Sequence, residues 1–149
     1  MSDLVPFVRG LHTYQGSCHC KATRWEVDLD LSEGTIQCNC SWCTRRATWS
    51  VLTKPERFRL HTSLDALQRL PGPPFADRRV CPTCGFLSFS TGDIPTLGGA
   101  FVWINVRCLD GVRLDGVPVH HLDGKNNTWA RLGTRPYVDP FATLLPAEG

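Results

Sequence analysis

The sequence predicts a single, mainly β domain in which short strands are joined by loops that carry cysteines. Three observations favour this fold class. Several short segments alternate polar and apolar side chains, which is the period of a half-buried strand. No segment shows the periodicity of a long amphipathic helix. Seven of the eight cysteines fall in three tight clusters that lie between candidate strands.

Size and composition are those of one globular domain. The chain has 149 residues, of which 42% are hydrophobic and 20% are charged, so it can bury a core and is not typical of a disordered chain. The formal net charge of +2 is too small to indicate a nucleic-acid or membrane partner. No apolar run is long enough to span a membrane, and residues 1–7 show no signal peptide. We therefore expect a cytoplasmic protein.

The strands are predicted in order along the chain. The segment 23–29 alternates polar and apolar side chains, and 35–37 leads as a strand into the central cysteine cluster. The segment 64–70 is ambiguous between a helical turn and a strand. Residues 1–14 are expected to form an arm or an edge strand, and 126–149 is expected to pack on the surface as a tail. The remaining strand candidates are 49–53, 57–61, 86–90 and 100–106.

The densest cluster consists of Cys38, Cys40 and Cys43. Cysteines this close rarely form a disulfide with each other, because the short ring strains its geometry. In a chain without an export signal, clustered cysteines indicate metal binding. A turn through Ser41 and Trp42 can bring Cys43 back towards the other two. A structural zinc normally has four protein ligands, whereas a catalytic zinc keeps one position open. Three thiolates with no fourth ligand nearby therefore predict an open zinc site.

Two further pairs can complete a second site. Cys18 and Cys20 form one pair, and Cys81 and Cys84 form another that resembles a zinc knuckle. Joining the pairs gives a closed four-cysteine site. In the alternative grouping Cys81 and Cys84 join the central cluster, which leaves Cys18 and Cys20 without partners. Cys108 stands alone, and we interpret it as a buried apolar residue, with a fourth ligand to the central cluster as the alternative.

Three segments together resemble a known family. Gly16-Ser17-Cys18-His19-Cys20, Cys38-Asn39-Cys40-Ser41-Trp42-Cys43 and Cys81-Pro82-Thr83-Cys84-Gly85 look like the GFA family. These are the glutathione-dependent formaldehyde-activating enzymes, which are related to the centromere protein V domain. The resemblance covers roughly residues 12–125 and implies one zinc domain over that range.

The resemblance implies a fold, two metals and an activity. The fold would be an Mss4-like β-tent. Of two Zn²⁺ ions, a structural one would be held by Cys18, Cys20, Cys81 and Cys84, and a catalytic one by Cys38, Cys40 and Cys43. The implied activity is that of a carbon–sulfur lyase, the condensation of glutathione with formaldehyde.

Three thiolates give such a zinc site a particular chemistry. Their negative charge makes water activation less favoured than it is with neutral ligands. Binding a thiol, lowering its pKa and delivering it to a carbonyl carbon is the better use of the site. The expected partners are therefore a small thiol, with glutathione as the one that the resemblance implies, and a carbonyl compound.

Each of the other candidate site residues has both a functional and a structural interpretation. Arg45, next to Arg46, can hold a substrate carboxylate or an oxyanion, or can be a solvated surface residue. Trp42 and Trp49 can wall the substrate pocket or pack in the core. His120 is the acid–base candidate. Because neighbouring residues of a strand face opposite ways, only one of His120 and His121 can enter a site, and an ordinary strand residue is the alternative.

The leading functional hypothesis is a zinc-dependent carbon–sulfur lyase-type enzyme that makes or breaks a thiol–carbonyl adduct. The competing hypothesis is a non-catalytic, zinc-stapled thiol carrier or interaction module, and turnover distinguishes the two. A chromatin or nucleic-acid partner is disfavoured, because the arginines are scattered and there is no basic tail.

Overall fold

A computed structural model of the chain describes residues 4–142 and residue 144. These residues form thirteen short strands and one α-helix. The helix α1 spans Ser41–Arg46. The strands are β1 Val5–Pro6, β2 His12–Ser17, β3 Arg24–Leu29, β4 Thr35–Cys38, β5 Ser50–Thr53, β6 Phe58–Leu60, β7 Gln68–Arg69, β8 Ala76–Val80, β9 Phe89–Ile94, β10 Gly99–Asn105, β11 Val112–Arg113, β12 Pro118–Leu122 and β13 Arg131–Pro136. The prediction of a mainly β fold with cysteine loops is confirmed.

The strands form one large sheet and two small ones. The large sheet has eight strands in the order β13-β12-β4-β5-β10-β9-β8-β7. A three-stranded sheet has the order β2-β3-β6, and β1 pairs in parallel with β11. Most neighbours in the large sheet are antiparallel, but β12 runs parallel to β4, with Leu122 opposite Cys38. This pairing brings the end of β12 to the central cysteine cluster.

The hydrophobic core lies between the two larger sheets. In β3 the apolar residues Trp25, Val27 and Leu29 are buried and alternate with outward-facing charged residues, as the sequence predicted. In β10, Val102 and Ile104 are buried in the same cluster. The Nε1–H of Trp25 donates to the Oγ of Ser88 at 3.1 Å, so this buried indole leaves no polar atom unsatisfied.

Some predicted elements differ in their limits. The segment 64–70 resolves into a 3₁₀ turn over Leu64–Ala66 and the short strand β7. The strand predicted over 86–90 begins at Phe89 instead, because the carbonyl of Phe86 accepts the N–H of Cys81 at 3.1 Å and so closes the cysteine turn rather than joining the sheet.

The chain ends fall partly outside the described residues. Of the arm predicted over 1–14, residues 1–3 are not described, and the rest contributes β1 and part of β2. Of the tail predicted over 126–149, the described part contributes β13, an edge strand that is exposed along its whole length. Residues 143 and 145–149 lie outside the described residues. None of the described helices is both long and apolar enough to cross a bilayer.

Candidate metal centres and active site

The loops after β2 and β8 bring four cysteines together. The sulfurs of Cys18, Cys20, Cys81 and Cys84 all lie within 4.8 Å of one another. Cys18 and Cys20 are 3.7 Å apart, and Cys20 and Cys81 are 3.5 Å apart. Two sulfurs bound tetrahedrally to one zinc ion are about 3.8 Å apart. The donor set therefore fits a closed four-thiolate metal site.

Backbone N–H groups support these sulfurs. The N–H of Thr23 donates to Cys18 Sγ at 3.4 Å. Burial acts to raise the pKa of Cys18, but the hydrogen bonds from Thr23 outweigh it and lower the pKa to about 6. The backbone N–H of Cys84 has the largest part in lowering the pKa of Cys81. Gly85 makes this turn possible, because its φ of 79° lies in the left-handed region. The surroundings of Cys18 and Cys81 therefore favour the thiolate, which is the form that binds metal. At Cys20 the backbone N–H of Ala22 acts to lower the pKa, but the hydrogen bond to Cys81 and burial outweigh it and raise the pKa to about 11.

The second group of sulfurs lies where β4 meets α1. Cys38 ends β4, Cys40 is the N-cap of α1, and Cys43 lies in its first turn. Their three sulfurs also lie within 4.8 Å of one another. The N–H of Cys40 donates to Cys38 Sγ, and the N–H of Cys43 donates to Cys40 Sγ, both at 3.4 Å. Within the described part of the chain, no other cysteine, histidine or carboxylate joins this group.

The central group fits a cation better than it fits three free thiols. Burial raises the pKa of Cys43 to about 12. For Cys40 burial also acts to raise the pKa, but hydrogen bonds from the backbone and thiol of Cys43 outweigh it and the pKa is lowered. The two neighbouring thiols thus differ in their tendency to ionise. A cation bound to the group would stabilise its sulfurs as thiolates.

Cys108 belongs to neither group. It is 7% exposed in the core cluster, and burial raises the pKa of its thiol to about 12. The structure supports its interpretation as a buried apolar residue.

A loop from far along the chain holds the central ligand loop in place. Asn39 lies between two of the cysteines, and its Nδ2–H donates to Asp123 Oδ1 at 3.1 Å. The Oδ1 of Asn39 accepts the N–H of Lys125 at 2.8 Å. Asp123 also accepts hydrogen bonds from Asn126 and Thr128. The loop between β12 and β13 is therefore tied to the metal-ligand loop and ordered by the same carboxylate.

Two tryptophans and two arginines lie beside the central cysteines. Trp129 ends the β12–β13 loop and is 57% exposed at a φ of 57°. Its ring and Cys38 Sγ both pack against Gly124. Trp42 lies in α1, next to Cys43, and the guanidinium of Arg78 lies 4.2 Å from its ring centroid. Arg46 covers the same ring at 5.0 Å.

Arg78 is a half-buried cation without a carboxylate partner. None of the ion pairs and side-chain hydrogen bonds found among residues 4–142 and 144 involves it. Burial lowers its pKa, and the charge of Cys43 acts in the opposite direction. Its neighbour Arg79 is paired with Asp77 at 3.1 Å, so the two arginines of β8 have different surroundings. Arg78 is thus free to face an anion near the central cysteines.

Two cavities flank this site. One of about 400 Å³ is lined by Cys38, Asn39, Thr44 and His121, together with Gln37, Leu122, Leu132, Gly133 and Arg135. A smaller cleft of about 200 Å³ is lined by Arg78, by Ser90 and by seven apolar side chains. These are Trp42, Leu52, Phe75, Ala76, Phe101, Trp103 and Trp129.

The other predicted site residues lie in different places. Trp49 is 1% exposed, stacks on Tyr137 at 4.3 Å and donates to Thr35 Oγ1, so it packs in the core, the alternative left open above. Arg45 is exposed on α1. His120 contacts Thr134 Oγ1 at 2.8 Å and the carbonyl of Glu33 at 3.0 Å, so both ring nitrogens are engaged away from the cysteines. It is His121 that lines the cavity with Cys38.

Comparison with known proteins decides the family. A family model described as "Glutathione-dependent formaldehyde-activating enzyme" (GFA) matches residues 13–122. This chain belongs to the GFA family. A crystal structure of a protein from Rhodobacter sphaeroides is similar to this GFA protein with a TM-score of 0.56 and 26% identity, over 66% of this chain and 90% of that one. The two cysteine groups that can hold metal both lie within the matched region.

Proposed function

We propose that this GFA protein is a zinc-dependent carbon–sulfur lyase-type enzyme that makes or breaks an adduct between a small thiol and a carbonyl compound. The observation that carries the proposal is the central group of three sulfurs, to which no fourth ligand is added among the described residues. The closed group of four would hold a structural zinc, and the open group would hold a catalytic one. Eight free cysteines favour the reducing cytoplasm as its compartment.

The reaction transfers no electrons between reactants and needs no further reagent. The sulfur of the thiol forms a bond to the carbonyl carbon, the π pair of the carbonyl moves to oxygen, and that oxygen takes up the proton that the thiol has lost. The reverse direction breaks the carbon–sulfur bond. A zinc ion bound by the three sulfurs would lower the pKa of the incoming thiol.

The side chains around the cysteines have separate roles in this proposal. The guanidinium of Arg78 favours negative charge forming on the carbonyl oxygen. The cavity lined by Cys38 and Arg135 receives the thiol, for which glutathione is the family's example. His121 lines that cavity and is placed to carry the proton between sulfur and oxygen. Asn39 and Asp123 keep the ligand loop in position.

The substitution Cys40→Ser tests the proposal. Serine is a favoured N-cap, so it can replace the sulfur as acceptor of the Cys43 N–H and leave α1 intact while removing a thiolate. We expect native mass spectrometry to show one zinc instead of two, with an unchanged circular dichroism spectrum. Formation and cleavage of S-(hydroxymethyl)glutathione should fall at least about 100-fold, a loss typical of misplaced reacting groups.

Two outcomes would contradict the proposal. If Cys40→Ser unfolds the protein as thoroughly as Cys81→Ser does, the central site is structural. If the wild-type protein binds a thiol stoichiometrically but never accelerates adduct formation or cleavage, it is a thiol carrier and not an enzyme.

A further inference from the structure

The apolar cleft beside the central cysteines is built on the outer face of the large sheet. In β10, Val102 and Ile104 point into the core, so Phe101 and Trp103 point to the opposite face. Pairing across four strands places Leu52, Trp103, Ser90 and Arg78 in one row. This row forms the floor of the cleft and runs from an aliphatic side chain to an unpaired cation.

The walls of the cleft come from the helix that carries Cys43 and from the β12–β13 loop. Trp42 belongs to the helix that carries Cys43 and stacks on Arg78 at the end of the row. Trp129 belongs to the loop that Asn39 ties to the ligand loop. Gly124 connects cleft and metal site, because Cys38 Sγ and the Trp129 ring both pack against it. The cleft and the open metal site therefore share Trp129 and Gly124 as a boundary, although none of the three cysteines lines the cleft itself.

The cleft leaves aromatic surface in contact with solvent. Trp129 is 57% exposed, and Phe75 is 45% exposed. Trp129 also has a positive φ, which is uncommon for a bulky residue, and its loop is held in that shape by the hydrogen bonds of Asp123. Grouped, exposed aromatic side chains held in a fixed conformation are typical of ligand sites.

The size and polarity of the cleft determine which ligands can bind in it. An apolar cavity of about 150 Å³ accepts benzene, whereas pockets for drug-sized ligands start at about 300 Å³. The volume here, about 200 Å³, suits one aromatic ring with a small substituent. The charged and amide groups of a peptide thiol would lose their hydration against these walls, apart from one anionic group at Arg78. Formaldehyde has no side chain that would use the cleft.

We propose that this cleft binds an aromatic ring on the carbonyl partner, so that the preferred substrate is the thiol adduct of an aryl aldehyde, with its oxygen facing Arg78. The inference rests on the proposed function, because it names the substrate class of that same site. The larger cavity, which is lined by Cys38, His121 and Arg135, is left for the thiol.

Titration of the zinc-loaded protein with benzoate, followed by calorimetry, tests the cleft without turnover. Benzoate combines one ring with one anionic group, and acetate carries the charge without the ring. We expect saturable binding of benzoate and none of acetate at the same concentrations. Trp129→Ala should weaken binding about tenfold or more, and Arg78→Met should weaken it by about 10- to 100-fold. The control Leu97→Ala, at a residue that is 69% exposed and does not line the cleft, should bind as the wild type does.

Equal binding of acetate and benzoate would overturn the inference, and so would unchanged benzoate affinity in Trp129→Ala.

In turnover, kcat/KM for the glutathione adduct of benzaldehyde should exceed that for the formaldehyde adduct, and Trp129→Ala should remove the difference. If benzoate binds as expected but no adduct is turned over, the proposed function fails and the aromatic site stands. If Trp129→Ala and wild type turn over the formaldehyde adduct equally and benzoate does not bind, the aromatic site alone fails.

Discussion

At the scale of single residues, the absence of one side chain determines how closely two loops approach. A Cβ on Gly124 would overlap Cys38 Sγ and would lie 2.8 Å from the ring of Trp129. Both neighbours are held in place, Cys38 by the N–H of Cys40 and Trp129 by the hydrogen bonds of its loop. Glycine is therefore required at this position for steric reasons.

Gly124→Ala should weaken metal binding at the central site. The added methyl group must displace either the Cys38 sulfur or the loop that carries Trp129. We expect the second zinc to be lost at chelator concentrations at which the wild type keeps two, as counted by native mass spectrometry. Gly133→Ala is the matched control, because a Cβ there meets nothing within 4 Å and should leave the zinc count unchanged. Two tightly held zinc ions in Gly124→Ala would show that the overlap is relieved elsewhere.

Trp42 and Trp49 were equivalent candidates in the sequence and occupy opposite environments in the structure. Trp49→Phe removes a buried N–H donor to Thr35 Oγ1, so it should lower the free energy of unfolding by about 1 kcal/mol and leave kcat/KM close to the wild-type value. Trp42→Ala should reduce kcat/KM and have the smaller effect on stability, since its ring is only half-buried. Urea unfolding and steady-state kinetics measure both. The reverse pattern would place Trp49 in the substrate pocket.

At the scale of elements, the β12–β13 hairpin does more than extend the sheet. Parallel pairing of β12 with β4 aligns Leu122 with Cys38, and the following loop then reaches back to Asn39. The hairpin thus supplies Asp123, Gly124 and Trp129 to a site whose metal ligands all come from another part of the chain. Its role is to position the ligand loop and to form one wall of the cleft.

Asn39→Ala should separate the hairpin from the ligand loop. It removes the hydrogen bonds to Asp123 and Lys125, which should cost about 1–2 kcal/mol of stability. Amide hydrogen exchange should become faster over residues 123–130, and zinc should be lost more readily from the central site. Asn126→Ala is the control, since it removes a bond to Asp123 within the hairpin loop and keeps the tie to Asn39. Equal zinc loss in both variants would mean that zinc retention depends on the ordering of the hairpin loop and not on its link to Asn39.

At the scale of the whole molecule, the four-cysteine group joins the three-stranded sheet to the eight-stranded sheet. Cys20 and Cys81 are 61 residues apart, and the loops that carry them follow strands of different sheets. Binding of zinc by structural cysteine sites contributes roughly 10–16 kcal/mol, comparable with the total stability of about 5–15 kcal/mol of an ordinary domain. The metal at this group should therefore be necessary for folding.

Cys81→Ser should unfold the protein or make it insoluble, whereas Cys40→Ser should melt within a few degrees of the wild type. The difference follows from position, because Cys81 is 2% exposed and joins both sheets, while Cys40 lies on a half-buried loop. Circular dichroism melting curves with one equivalent of added zinc measure it. A folded Cys81→Ser protein with a near-normal melting temperature would show that the core alone holds the sheets together.

The sequence by itself determined the features that depend on near neighbours. Alternation predicted β3, because the side chains of a strand alternate between its faces, and a mainly apolar run predicted β10. The spacing of Cys38, Cys40 and Cys43 predicted their convergence, because only a turn separates them. The grouping of Cys18 and Cys20 with Cys81 and Cys84 followed from ligand counting, and the structure brings these four together. The zinc assignments themselves stay predictions.

Tertiary structure alone decided which other residues reach the site. Arg78, His121 and Trp129 come from strands and loops far along the chain, and sheet pairing brings them to the central cysteines. The Asp123-Gly124 pair signals a turn, but no local pattern says what a turn lies against. For the same reason His121 lines a cavity and His120 does not, although either could have been chosen from alternation. The spacing of nearby cysteines predicts metal ligation, whereas the shape and polarity of a pocket depend on contacts between distant segments.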